Sequence, residues 1–510
     1  MLRRGLALLL MPWVLWSLTG DVTDLVHRAA GAAVDLPLAA LTAAAVGVLS
    51  WGMAPSPWRT ASRGAAGMLL LLPLSAAAGL WSLPAWALAA GGVLWVRRRS
   101  RAAADPLALV VCRAAGSPRP VRLAGEDRFL HLHIVGPTGS GKTSAALLPM
   151  ILQDLARPGV GLTVLEPKGD LVEAVAAACT RAGRPFRLLD PRREDCPRVN
   201  PLEGEDTQAA ESLAYVYERL FAGDNPFYRS MGTNLLRHAV LALKAARART
   251  ADLPELLRLF RDADFLKEVL NGVADPAVRE FFRQGWLRWP ERTRQEYAAG
   301  VLDALAGLLA NPRLARVLSG PGELHPREVL AEAQVLLAVL PPGEFGRGAR
   351  MLGTFLLYQL QFATFGRGPV RPPHFLYVDE FQDYATGGFG EFLAAARSFG
   401  VGAVLAHQNL GQLDSGLRDV VLANARNRVV FGGTSARDAA ELAELFGRRR
   451  RREHLFDAWG LPRGSRFGEA WRFTPTMVRE LPRGRVLVQL VHRGSLQPPL
   501  LGEVAPAPLP

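Results

Sequence analysis

A chain of 510 residues with 49% hydrophobic side chains and a formal net charge of +13 has room for two to four domains and is not a disordered polyelectrolyte. The basic excess points to a polyanionic partner, either nucleic acid or an anionic membrane face, or to nothing more than an arginine-rich coding bias. Cys112, Cys179 and Cys196 lie far apart with no CxxC or Cys/His spacing, which excludes a disulfide framework and a zinc site.

Apolar density is concentrated at the start of the chain. Leu6 to Leu18, Leu36 to Ala54 and Ala65 to Val96 carry no charged residue, and a membrane-spanning helix needs roughly 20 apolar residues. The third stretch is too long for one ordinary span and is read as a helical hairpin turning near Ser82-Leu83-Pro84. Arg3 and Arg4, Arg59 and Arg63, and Arg97 to Arg99 with Arg101 fall on one side of the membrane only if there are four spans. Asp21, Asp24 and Asp35 then lie on the other side. Residues 1–101 are therefore expected to form a four-span membrane region. The alternative is fewer spans, with the long stretch as one tilted helix. A cleaved signal peptide is disfavoured because further apolar segments follow at once. The rest of the chain is expected in the cytoplasm.

The strand-like Leu130 to Val135 runs into Gly136-Pro137-Thr138-Gly139-Ser140-Gly141-Lys142-Thr143, and a helix-like stretch from Ser144 to Leu155 follows. A strand, this loop and a helix in that order form a P-loop. The glycines let backbone N–H groups turn inward around phosphates, and the helix N-terminus adds positive potential. Lys142 is expected on the β- and γ-phosphates and the Thr143 hydroxyl on Mg²⁺, with ATP or GTP as the ligand. His131 and His133 alternate on the expected strand and read as structural.

Far downstream, the apolar strand Pro373 to Val378 ends in Asp379-Glu380, the pattern of a Walker B motif. Asp379 would orient Mg²⁺ through its water shell, and Glu380 would polarise the attacking water. Between and beyond the two motifs, strands are expected at Gly161–Leu165, Pro185–Leu189, Gln334–Leu340, Val401–Ala406 and Arg428–Phe431, with helices between them. Such alternation implies a largely parallel sheet that binds ligands at the carboxyl ends of its strands. Gln408, just past one strand end, is a candidate γ-phosphate sensor. From about Asp206 to Arg327 the strand pattern gives way to amphipathic helices. Trp286, Trp289 and Tyr297 there, interleaved with Arg288 and Arg292, form either an ordinary helical core or a base-stacking surface. The run Arg448 to Arg452 follows Gly447, a plausible helix stop, and is expected in an exposed loop.

The ordered set Gly136–Thr143, Glu166-Pro-Lys-Gly-Asp170, Val199-Asn-Pro-Leu202, Val378-Asp-Glu-Phe381, Ala406 to Leu413, Leu422-Ala-Asn424, Val430 to Gly433 and Met477 to Gly484 resembles the type IV secretion coupling proteins, the TraG/TraD-like conjugative ATPases. The resemblance implies a RecA-like P-loop α/β domain with an all-α insertion, using ATP and Mg²⁺ and assembled as a homohexamer. It also implies an arginine finger at Arg397, in Arg397-Ser-Phe-Gly400. The implied partners are DNA, a relaxase or relaxosome and the secretion channel, at the bacterial inner membrane. Three positions depart from the family pattern: Glu166 stands where Asp is usual, Gln382 replaces a common Pro, and Asn409 stands where Ser often follows the Gln.

The expected organisation is a membrane region at 1–101 and a first nucleotide-binding part at 102–205. The all-α insertion at 206–327 follows, then a second nucleotide-binding part at 328–500 and a tail at 501–510. Competing functions are a receptor ATPase for protein effectors, an FtsK- or HerA-like DNA translocase, and a non-hydrolysing membrane scaffold. Intact Lys142, Thr143, Asp379 and Glu380 argue against the scaffold, and the short segment after Arg485 argues against a separate winged-helix DNA reader.

Overall fold

The structure, a computed structural model, describes residues 105–507 apart from 221–224, 248–249, 370, 386–387 and 457–461. The four expected spans lie outside the described residues. Among the described residues, no helix is long and apolar enough to cross a membrane.

β1 (Leu109–Ala114) and β2 (Pro120–Leu123) pair as a hairpin, and a 3₁₀ turn (Glu126–Leu130) leads into β3 (Leu132–Val135). The apolar runs then give β4 (Gly161–Glu166), β5 (Phe186–Leu189), β6 (Val335–Val339), β7 (His374–Asp379), β8 (Val401–His407) and β9 (Asn427–Phe431). With β3 these strands form a parallel block in the order β9-β3-β8-β7-β4-β6-β5. β10 (Arg448–Phe456) and β11 (Pro462–Trp471) form a separate antiparallel hairpin. β12 (Arg485–Gln489) pairs antiparallel with β9, and after the small β13 (Val491–His492) and β14 (Ser495–Leu496) comes β15 (Leu500–Glu503). β15 lies between β12 and β1 and completes an eleven-stranded sheet.

The parallel strands are mostly apolar because both faces of the sheet are covered. Leu162, Val164, Leu337, Phe375, Tyr377 and Val404 pack on one side with the helices Leu148–Leu155 and Asp170–Arg181. Leu165, Leu336, Leu376, Val378 and Leu405 pack on the other side with the helix Arg347–Phe365 and the helical block. Residues alternate between the two cores, as the period of two requires.

The helical block fills the chain between β5 and β6, from Asp206–Leu220 to Pro326–Ala331. Asp252, Asp262, Asp275 and Asn311 each cap the following helix by accepting backbone N–H groups, worth about 1 kcal/mol apiece. Trp286 is buried, and its ring meets Trp289, which in turn meets Tyr297. Trp286 and Trp289 belong to the helical core, whereas Tyr297 is half-buried and also meets the exposed rings of Phe227 and Tyr228.

Three local expectations change. His131 caps the 3₁₀ turn at φ 56° and does not lie on β3. Its Nδ1 accepts from Ala403 N at 3.0 Å, which leaves Nε2 to donate to Leu393 O at 2.7 Å. The arginine run is strand β10 and not a loop, although Gly447 does end the preceding helix, at φ 78°. Residues 501–503, expected as the start of a tail, belong to the strand Leu500–Glu503 of the main sheet.

Candidate nucleotide site

The loop Gly136–Thr143 leaves the carboxyl end of β3 and enters a helix whose first turn, Lys142–Leu147, is a wide π turn. Pro149 near the start of the helix proper has no N–H to close an ordinary turn there. Gly136 has to be glycine, because a Cβ there would lie 2.6 Å from Phe431 Cβ and 2.8 Å from Ser140 Oγ. Gly141, at φ 102°, adopts a backbone shape that side chains resist. Thr138 and Gly139 form the exposed crown of the loop.

Lys142 is buried, and its ammonium donates to Gly136 O. Burial lowers its pKa, opposed by Asp379 and Glu380, while Lys168 pushes it further down. β7 lies two strands from β3 with β8 between them, which carries Asp379 to the same edge. Thr143 Oγ1 donates to Asp379 Oδ2 at 3.1 Å, so two residues 236 positions apart meet where a cation is expected. Burial raises the pKa of Asp379, and the neighbouring Glu380 raises it further. A cation there would relieve both effects.

Glu380 sits in the left-handed region at φ 50°, ψ 47°. Its Oε1 accepts from Gln408 Nε2 and its Oε2 from Gln382 Nε2, both at 2.9 Å. Gln408 follows β8, and Gln412 Oε1 accepts the backbone N–H groups of Gln408 and Asn409 at 3.2 Å each. Behind this loop, His407 Nε2 meets His133 Nε2 at 2.7 Å, with the rings stacked 4.8 Å apart. Burial keeps both imidazoles neutral. Glu166 ends β4 at the same edge, with its carboxyl accepting from Val172 N.

The loop, Lys142, Thr143, Asp379, Glu380 and Gln408 are thus brought together. Arg397 is not: it is exposed just before β8, about 20 Å of strand from Gln408 at the other edge. Gln382, read from sequence only as a departure from a family pattern, proves to be part of the site. A polar side chain two residues past an acidic pair is the only signal that pointed to it. The residues fit a magnesium nucleotide. The Ser140 hydroxyl in the loop is buried without a hydrogen-bond partner, and phosphate oxygens are the acceptors such a loop is shaped to meet.

Residues 106–267 match the family described as type IV secretory system conjugative DNA transfer, and residues 373–456 match the family described as the TraM recognition site of TraD and TraG. No curated protein matches the sequence. Among solved structures, the unbound bacterial conjugative coupling protein TrwBdeltaN70 is similar at 17% identity and TM-score 0.60, over 80% of this chain and 90% of that one. The plasmid coupling protein TrwB solved with ADP and Mg²⁺ is similar at 17% identity and TM-score 0.58, over 76% and 88%. TrwB with the GTP analogue GDPNP gives 16% identity and TM-score 0.57, over 77% and 96%. These likenesses establish a shared fold, and the two family matches, in order along one chain, support the type IV secretion coupling protein family for it.

Proposed function

We propose that the chain is a membrane-anchored ATPase that couples ATP hydrolysis to moving DNA, or DNA with attached protein, towards a type IV secretion channel. The observation that carries this reading is the Glu380 carboxylate. It is held by two glutamine amides beside the Thr143–Asp379 hydrogen bond, at the carboxyl edge of a parallel sheet. Related coupling proteins were solved with an ATP analogue and with ADP and Mg²⁺, which supports ATP and Mg²⁺ as the ligands here.

The backbone of Gly136, Pro137, Thr138, Gly139, Ser140 and Gly141 cradles the phosphates, and Lys142 reaches towards the β- and γ-phosphates. Thr143 and Asp379, which meet at 3.1 Å, would hold Mg²⁺, whose charge would offset that of the phosphates. The bound nucleotide supplies the phosphoryl group whose transfer to water releases the driving energy. Glu380 accepts the hydrogen bond of the attacking water and fixes its line of approach. Gln408 senses the γ-phosphate by exchanging its bond to Glu380 for one to phosphate oxygen.

Arg397 lies on the opposite edge, so it serves as a finger only towards a neighbouring copy, as in a homohexameric ring. The net charge of +13 suits a cargo read by its phosphates and not by sequence. The match to a TraM recognition site supports relaxosome proteins, including a relaxase, as partners. The proposed location is the bacterial inner membrane, multi-pass, with the ATPase in the cytoplasm.

The test is ATPase activity of the detergent-purified full chain, alone and with single- or double-stranded DNA, compared with Lys142→Ala. Hydrolysis that DNA raises and Lys142→Ala abolishes is expected. Near-normal turnover in Lys142→Ala would sink the site. Hydrolysis indifferent to both DNAs would replace DNA cargo with protein effectors.

A further inference from the structure

The two oxygens of Glu380 are held from different sides. Oε1 is held by Gln408, which follows β8 next to the P-loop strand β3. The Gly136 N–H donates to His407 O at 3.2 Å, so the Gln408 loop adjoins the place where phosphates are expected. Oε2 is held by Gln382, in the 3₁₀ turn after β7. Gln382 also lines a cavity of about 390 Å³ with Arg219, Arg350, Asp383 and Gln412. Gln408 thus holds the carboxylate from the loop beside β3, and Gln382 holds it from the turn after β7.

We infer that Gln382 is a positioning residue for Glu380, anchoring Oε2 while Oε1 is passed from Gln408 to the attacking water. The inference rests on the ATPase reading and adds to it a residue assigned no role there. Three observations carry it. The Gln382 amide orientation is fixed by the carboxylate, because a flipped amide would set its oxygen against Glu380 Oε2. Gln382 Oε1 is buried without a partner, so the bond to Glu380 is the polar contact that keeps this side chain in place. The turn is also tied down from outside, with Arg350 Nε 3.5 Å from Asp383 Oδ1.

The left-handed backbone of Glu380 makes such an anchor necessary. At φ 50° a non-glycine residue occupies a small region of allowed space. The carboxylate is aimed through that conformation, and a single tether on Oε1 would leave it free to swing once Gln408 lets go. A second N–H on Oε2 fixes the plane of the carboxylate and leaves Oε1 directed at the space by Lys142 and Asp379. A proline at 382 would have no side-chain donor for this bond, so the anchor depends on the residue this chain carries.

The test uses Gln382→Met, which keeps the length and removes the donor, in the detergent-purified full chain. In nucleotide-free protein, Glu380 is labelled with a water-soluble carbodiimide and an amine, and the peptide is quantified by mass spectrometry. Labelling several-fold faster than wild type is expected, because one carboxylate oxygen has lost its partner. With ATP, kcat is expected to fall about tenfold with KM unchanged, since orientation is lost and binding is not. Gln382→Asn keeps an amide one methylene short and should label as fast as Gln382→Met, a check that stands if the Met side chain does not pack. Wild-type labelling rates in both variants overturn the inference, as does faster labelling with kcat unchanged. The labelling arm needs no nucleotide, so it separates failure of the anchor from failure of the ATPase reading.

Discussion

Removing the charge of Glu166 should stabilise the protein at alkaline pH and leave it unchanged in acid. The residue is 2% exposed at the end of β4. Burial lifts its pKa from 4.5 to about 7, opposed by the Val172 and Gly169 N–H groups and helped by the charges of Asp379 and Asp170. Below pH 4.5 the carboxyl is protonated in both the folded and the unfolded chain, so no ionisation cost arises. As pH rises from 4.5 to 7 the unfolded chain ionises freely and the folded chain does so only reluctantly. Stability therefore falls by about 1.4 kcal/mol per pH unit. Above pH 7 the loss is complete, at about 3 kcal/mol. Glu166→Gln keeps an oxygen for the Val172 N–H and abolishes the charge. It should raise Tm by roughly 4 °C at pH 8 for a unit of this size, and by almost nothing at pH 4.5. Scanning fluorimetry of both proteins, free of nucleotide and in chelator, across pH 4.5–8 measures the gap. A gap that stays constant with pH would refute the assignment of a buried, reluctantly ionised carboxyl.

Glu380→Gln should bind ATP with near-normal affinity yet turn it over at least about a hundredfold more slowly; loss of ATP binding in equilibrium assays would show that the roles of Asp379 and Glu380 are wrongly divided. Replacing Arg449, Arg450 and Arg451 with Gln should weaken DNA binding equally for all sequences and flatten its log–log salt dependence by roughly one to three units. DNA-free ATPase activity should survive in that variant, and an unchanged salt slope would leave the hairpin as solvated surface. A reporter inserted between Arg59 and Arg63, and another after Arg101, should both be cytoplasmic; a periplasmic signal from the first would remove the four-span arrangement.

The parallel strands were legible in the sequence because burial on both faces leaves uninterrupted apolar runs, such as Phe375 to Val378. Asp379-Glu380 was legible for a related reason, following such a run directly, and the P-loop by its glycine spacing between a strand and a helix. The arginine run misled because adjacent like charges were treated as neighbours, whereas a strand sends successive side chains to opposite faces. Arg448 is further accommodated by Trp471 across the hairpin, its guanidinium carbon 4.4 Å from the ring centroid. β15 was missed because Leu500–Glu503 is only four residues long and follows Pro498 and Pro499, so its partners and not its pattern make it a strand. The hold of Gln382 on Glu380 depends on a left-handed residue, and no local sequence rule announces that conformation at a glutamate. Arg397 could be named by resemblance, but only the sheet topology reveals that it faces away from its own chain's site.

The position of β15 sets an order of events at the ribosome. β1 and β2 are among the first described strands to be synthesised, yet β1 joins the main sheet only through β15. Between Leu123 and Leu500 lie ~380 residues, which take roughly 20–75 s to synthesise at ordinary rates of translation. During that interval the β1–β2 hairpin has no sheet to dock on, and an isolated two-stranded hairpin is marginal in water. The pairing of β1 with the main sheet is therefore among the last to form, although Gln153 holds Val110 to the helix Leu148–Leu155 without it. Any chain that stalls or is clipped before Leu500 leaves the edge of β12 unpaired and open to association with another molecule.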